Sequence, residues 1–479
     1  MFEAQLLIAG DDRAATANAT FEHRGPTGQS TVTRAARASV EDARAAVDAA
    51  NAAFPAWSKL ELSARRAHLS AAARHMRERA GAFVERVSAE TGGTAGWGHF
   101  NVHLAASMLE EAAALTTQVC GEVIPSNQPG TLALAVRVPA GVTLGMAPWN
   151  APVILGVRAI ATPLACGNTV VLKASEVCPA THALIGTVLR EAGLPAGVVN
   201  VVTHAAEDAP AIVEALIAHP AVRRVNFTGS TRVGRIVGKL AGQHLKPAVL
   251  ELGGKSPLVV LDDADITAAV DAAVFGAFMH QGQICMSTER IVVDEKVADE
   301  FVSKLGARAK ALKVGNDGPI GAVVNAHTIE RVKSLLDDAV RQGAKLVCGG
   351  TNEGVFMAPT VVDRVTRAMK LYSEESFGPI VGITRVRGDE QAVAVANDTE
   401  YGLSAAVFGR DLSRAIAVAQ RIDSGMCHIN SPTVQDEPQL PFGGVKASGF
   451  GRFGGRAGVH EFTELRWLSI ATEPRHYPF

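Results

Sequence analysis

Glu251, in Leu250-Glu-Leu-Gly-Gly-Lys-Ser-Pro257, and Cys285, in Gln281-Gly-Gln-Ile-Cys-Met-Ser-Thr-Glu289, offer a carboxyl group and a thiol in small-residue surroundings. Together they suit the making and hydrolysis of a thioester. Glu251 stands between two leucines at the end of an apolar run, where burial should raise its pKa toward the range of a general base. A salt-bridged strand-end carboxylate is the competing reading. Cys285 has polar and glycine neighbours, which favour the exposure that thiolate chemistry needs. The other five cysteines read as inert small hydrophobes: Cys166 and Cys178 flank a strand, Cys348 and Cys427 sit in strand-like runs, and Cys120 completes the set. Asn150, after Ala147-Pro148-Trp149 at a strand end, could place its amide on an oxyanion, although an Asn before Ala-Pro also reads as a plain turn residue.

These groups need a rigid frame. From 141 onward, β-branched runs alternate with helical ones: Gly141–Ala147, 152–165, Thr169–Leu172, 180–193, Val198–Val202, 208–218, Arg223–Phe227, 231–243 and Ala248–Leu250. This alternation predicts parallel βαβ units, with ligands bound beyond the C-terminal strand ends. A second set, at Arg290–Val293, 296–312, 327–342, Ala344–Val347, Ile380–Val386 and 411–423, predicts another α/β domain. Residues 38–118 read as Ala-, Glu- and Arg-rich surface helices, and polar turn-rich segments occupy 121–130 and 431–458. The fold class is therefore α/β.

Asn226-Phe-Thr-Gly-Ser-Thr-Arg-Val-Gly234 follows a strand and opens a helix, so its N–H groups and the Ser230 hydroxyl could face a phosphate. It is not GxGxxG, and the loop after Val202 has no glycine, so a standard dinucleotide fingerprint is missing. Helix capping explains the same residues. Lys173 and Glu176 close another strand with an ammonium and a carboxylate suited to ribose hydroxyls; the carboxylate would repel a 2′-phosphate. A solvated strand-end pair is the plain alternative.

The 479 residues, with a net charge of −2 and mixed signs, give no reason to expect nucleic acid or an anionic membrane as partner. Six cysteines without CxxC spacing fit a reducing compartment, and no short Cys/His repeat points to a metal. Glu3 stands where a signal peptide wants positive charge, and prolines and Arg158 interrupt the most apolar stretch, 138–167, so a cytoplasmic location is expected.

Over essentially its whole length the chain resembles the aldehyde dehydrogenase superfamily. The carriers are Leu250–Pro257 and Phe278–Glu289, with Pro148-Trp-Asn150, Lys173–Glu176, Phe227–Gly234, Glu374–Pro379, Asn397–Leu403 and Pro441–Lys446 in the family's order. The resemblance implies two Rossmann-like parallel-sheet domains and a small β oligomerisation arm. A dinucleotide domain would span 1–120 and 141–252 and a catalytic domain 253–445. The arm would combine 121–140 with 459–479 in a homodimer or homotetramer. It further implies Cys285 as nucleophile, Glu251 as base for deacylation, and Asn150 with the Cys285 backbone N–H as oxyanion hole. Lys173, Glu176 and Glu375 would meet the riboses, Gly229, Ser230 and Gly234 the pyrophosphate region, and Phe377 the nicotinamide side, with Trp149 also among the cofactor contacts. NAD is the favoured cofactor through Glu176, with NADP left open, because His204 stands where many members have glycine.

Within the family, the nearest resemblance is to bacterial enzymes of the vanillin, benzaldehyde and salicylaldehyde type. It is carried by Trp97–Val102, Trp149–Leu155 with Arg158, Phe278–Arg290, Cys427–Asn430 and Pro474–Pro478. Ala151 replaces an aromatic residue common in aliphatic-aldehyde members, which implies a wider, flatter pocket. On this reading Trp97, Phe100, Ile284, Met286 and Phe442 wall an aromatic slot, and Arg158 faces a ring substituent; ordinary core packing would explain each equally. Two readings from other classes compete: a nucleotide-independent cysteine esterase using Cys285, and a non-catalytic oligomeric scaffold.

Overall fold

The computed structural model describes residues 1–479. Its larger sheet has five parallel strands in the order Ala248–Glu251, Val222–Thr228, Val142–Met146, Thr169–Lys173 and Val199–Val202. The chain therefore starts in the middle, builds outward to one side through Val199–Val202, and then returns to build the other. The reversal falls between Val142–Met146 and Val222–Thr228, the place where open α/β sheets leave a crevice for ligand. Short antiparallel strands extend both edges, Leu6–Ile8 with Asp11–Arg13 on one and Gly449–Phe450 on the other.

The second sheet runs Lys345–Cys348, Thr360–Asp363, Ile380–Val386, Thr288–Asp294, Ser256–Val260, Ser404–Phe408 and Met426–Ile429, parallel except at the first edge. Every residue of Ser256–Val260, Thr288–Asp294 and Ser404–Phe408 is buried, as parallel strands covered on both faces should be. A small antiparallel sheet joins Glu122–Ile124, Thr131–Pro139 and Thr463–Ala471, with Thr463 opposite Pro139 and Ala471 opposite Thr131. It stands away from the body: Leu465 is 61% and Trp467 77% exposed. A further sheet orders Phe2–Ala4, Thr31–Ala36 and Thr20–Arg24.

Helices Val40–Ser58, Leu62–Glu78 and Ala80–Thr91 lie within the stretch read as surface helices, but Ala95–Leu115 departs from that expectation. Thr94 caps it by accepting the Trp97 N–H, and Trp97, Val102, Leu104, Ala105, Ala106, Met108, Leu109, Ala112, Ala113 and Leu115 are all buried. Its alanines let it lie close against Pro152–Ala165, a helix buried along its whole length. Both contribute to a core cluster that Ile284, Met286, Leu403, Phe442 and Phe453 join from the rest of the chain. Each large side chain so buried contributes on the order of 1.5–3 kcal/mol. This shared core holds the Cys285 turn against the larger sheet. No helix is long and apolar enough to cross a membrane.

Candidate active site

A cavity of about 410 Å³ opens at the crevice where the strand order reverses, and its wall includes Asn150, Glu251 and Cys285. Trp149, Lys173, Glu176, Gly229, Ser230, Glu375 and Phe377 line the same space. Asn150 follows Val142–Met146, Lys173 and Glu176 follow the next strand, Gly229 and Ser230 follow Val222–Thr228, and Glu251 ends Ala248–Glu251. The segments that end the larger sheet's parallel strands therefore converge on a thiol delivered from the second domain.

Cys285 is half-buried, while its neighbours Ile284 and Met286 are each 6% exposed and belong to the shared core. The turn is fixed by Ser287 N–H donating to Ile284 O at 2.8 Å and by Thr433 Oγ1 donating to Met286 O at 2.7 Å. It is entered through three successive left-handed residues, His280, Gln281 and Gly282. Asn150 Nδ2 donates to Gln283 O at 2.9 Å, and Trp97 Nε1 donates to Asn150 O at 3.0 Å. One amide hydrogen of Asn150 remains for a ligand.

Burial, then the neighbouring Glu251, pushes the Cys285 thiol up to about 12, against the opposing pull of Arg158. Burial likewise holds Glu251 well above the usual carboxylic acid range, with Arg158 and Arg452 opposing. Both Glu251 carboxyl oxygens lack a hydrogen-bond partner. A Cβ at Gly443 would come within 2.6 Å of Glu251 Oε1, so glycine is required there for the carboxyl to fit. Burial thus favours the uncharged form of both groups.

Lys173 is held below its usual range by burial, partly offset by Glu176. Burial, then Glu289, pushes Glu375 up to about 7, although it accepts the Gly254 N–H at 2.8 Å. Phe377 meets Trp149 edge-on at 5.7 Å. The donor set fits a dinucleotide: Ser230 caps helix Thr231–Gln243 beside the cavity, so that helix presents its N-terminal N–H groups, and the carboxyl groups of Glu176 and Glu375 line the same space as acceptors for hydroxyls.

Several expected contacts lie elsewhere. Gly234 packs against Leu252, where a Cβ would collide with that side chain, and it is absent from the cavity wall; its role is close helix–strand packing. Trp97, Phe100, Arg158, Ile284, Met286 and Phe442 are also absent from this wall. Trp97 is stacked between His280, at 4.5 Å, and the exposed Phe100, at 5.6 Å. Arg158 is buried in an ion pair with Asp436 and lies 4.0 Å over the Phe442 ring, so its charge is already matched within the protein. Arg158 and Phe442 instead border a narrow neighbouring crevice of about 20 Å³. His204 is buried, with Nδ1 against the carbonyl of the following Ala205, and is not part of the cavity wall. Among the cysteines expected to be buried, Cys120 is exposed and Cys427 half-buried.

Sequence reading missed Arg331, which lines the cavity, and Glu289, which supports it. Glu289 was within a quoted motif, but nothing local distinguishes it from a solvated strand residue.

A doubly wound sheet whose strand ends meet a cysteine turn is a frame suited to a nucleotide-dependent thiol enzyme, and the chain belongs to the aldehyde dehydrogenase family, whose profile matches residues 13–468. Members of this family use NAD or NADP. The chain is 58% identical over 482 residues to a vanillin dehydrogenase of Pseudomonas fluorescens, with 100% of both chains covered. It is 50% identical over 465 residues to a salicylaldehyde dehydrogenase of Pseudomonas putida, with 96% of each covered. The crystal structure of a salicylaldehyde dehydrogenase from Pseudomonas putida G7 complexed with salicylaldehyde matches with a TM-score of 0.98 at 48% identity, covering 100% of both chains.

Proposed function

We propose that the protein oxidises an aromatic aldehyde of the vanillin type to its carboxylic acid, with NAD as the preferred nucleotide. The single observation that carries this reading is the cavity lined at once by Lys173, Glu176, Ser230 and Glu375 and by Asn150, Glu251 and Cys285. A thiol and a dinucleotide-shaped donor set in one space suit oxidation through sulfur and leave an esterase with no use for half of the wall. The vanillin and salicylaldehyde names of the relatives support the substrate class.

On this reading Lys173, Glu176 and Glu375 hold the riboses and Gly229 and Ser230 the pyrophosphate, while Trp149 and Phe377 border the nicotinamide. When bound, the nicotinamide supplies the hydride acceptor. Cys285 Sγ gives its proton to water and attacks the aldehyde carbon as thiolate, and the oxyanion accepts hydrogen bonds from the free Asn150 amide hydrogen and the Cys285 backbone N–H. Each such donor is worth on the order of 3 kcal/mol in a water-poor site. Loss of hydride leaves a thioester on Cys285. Glu251 then takes a proton from water, which opens the thioester and returns the thiol. The raised pKa of Glu251 makes it a stronger base than an exposed carboxylate once ionised.

Glu176 favours NAD because its carboxylate opposes a 2′-phosphate. The exposed Glu122–Ile124, Thr131–Pro139 and Thr463–Ala471 sheet is assigned to subunit association, and the cytoplasm is the proposed location. NADH formation with vanillin, salicylaldehyde, benzaldehyde and hexanal tests the substrate: vanillin and its ring analogues should give the higher kcat/KM, and a preference for hexanal overturns the aromatic assignment.

A further inference from the structure

We propose that Glu289, paired with Lys255, is the positioning group that holds the Glu374–Phe377 turn in the shape presenting Glu375 and Phe377 to the nucleotide. The proposal rests on the reading that nucleotide occupies this cavity. Glu289 lies outside the cavity wall and is 3% exposed. It receives the Ser376 N–H at 3.0 Å, the Ser376 hydroxyl at 2.9 Å and the Phe377 N–H at 2.9 Å. Its other oxygen receives Lys255 Nζ at 2.8 Å, and the same ammonium donates to Glu374 O at 2.6 Å.

Two successive backbone N–H groups aimed at one carboxylate form a concave anion nest, a geometry that needs a left-handed residue. Phe377 is that residue, at φ 45°, in a region costly for a bulky side chain. The buried Glu289 charge compensates this strain, and Lys255 compensates the burial of Glu289. Arg331 adds a further tie to the turn's backbone, donating to Ser376 O at 2.8 Å. The turn is therefore clamped through its backbone, which leaves Glu375 Oε2 and the Phe377 ring for a ligand in the cavity they line.

Replacing Glu289 by Gln sets an amide N–H against either Lys255 or the Ser376 and Phe377 N–H groups, so the nest loses its anion while side-chain volume is kept. The expected result is a rise of about tenfold or more in NADH Kd, read by fluorescence quenching, and in KM for NAD. The aldehyde KM and the nucleotide-free rate of Cys285 alkylation should stay within about twofold of the parent protein. Glu289→Asp, which keeps the charge, should recover part of the loss. If Glu289→Gln does not fold, Ser376→Ala, which deletes one hydroxyl donor to the carboxylate, carries the same test with a smaller rise in Kd. An unchanged Kd, or an equal fall in alkylation rate, overturns the proposal. Failure of the unaltered protein to bind NADH would instead overturn the nucleotide reading itself.

Discussion

The side-chain amide of Asn150 donates to the carbonyl of Gln283 at 2.9 Å, which fastens the proposed oxyanion donor to the turn carrying Cys285. Nucleophile and donor are thereby held as one unit, although one comes from the end of a strand of the larger sheet and the other from the entry to the second.

Asn150→Ala should remove both that fastening and the donor. The expected loss is about 10²–10³ in kcat, with a smaller change in aldehyde KM, because the oxyanion exists only after attack. Steady-state kinetics with vanillin checks this; a loss below about threefold would remove Asn150 from the role.

Arg158→Met strands Asp436 inside the protein, where the pair's side chains are only 6% and 10% exposed. Breaking such a pair costs about 3–5 kcal/mol, whereas adding Asp436→Leu should restore most of it. Urea unfolding of the single and double variants measures the difference. Because Arg158 pulls both Glu251 and Cys285 downward in pKa, the single variant should also shift the acidic limb of the pH–rate profile to higher pH. An unmoved limb would show that Arg158 does not act on the pair.

His280 is buried, and burial holds its pKa down to about 3 from an ordinary 6.5, against the opposing pull of the Asn150 backbone. A depressed imidazole stabilises the fold fully above pH 6.5 and loses that contribution as pH falls toward 3, because the unfolded chain takes the proton first. At pH 5 the loss is about 2 kcal/mol. His280→Phe should therefore lose about that much less stability than the parent between pH 7.5 and pH 5, as read by denaturant unfolding; the buried carboxyls, whose shifts act in the opposite direction, are common to both proteins and cancel. Identical losses would contradict a buried neutral His280.

The strand–helix alternation from 141 to 251 was legible because parallel strands buried on both faces are short apolar runs ending in polar turns. That placed Lys173 and Glu251 at strand ends and Asn150 and Ser230 in the turns that follow strands, where they are found. Ala95–Leu115 was misread because alanine suits a surface helix and a tightly packed interior one equally. Arg158 was unreadable for another reason: Asp436 lies 278 positions away, and no local pattern announces a partner at that distance. Glu289 was hidden likewise, since its partners at Ser376 and Phe377 come from 87 and 88 positions on. Gly234 was recognised as special, but a glycine required by a neighbouring Leu252 looks in sequence like one required by a phosphate.

The most direct test of the covalent cycle is the Glu251→Gln variant mixed with vanillin and NAD, followed by NADH absorbance and intact-protein mass spectrometry. The account predicts a burst of about one NADH per subunit and then a stall, with an aryl acyl group retained on Cys285. Continued turnover at the parent rate, with no adduct on Cys285, would contradict it.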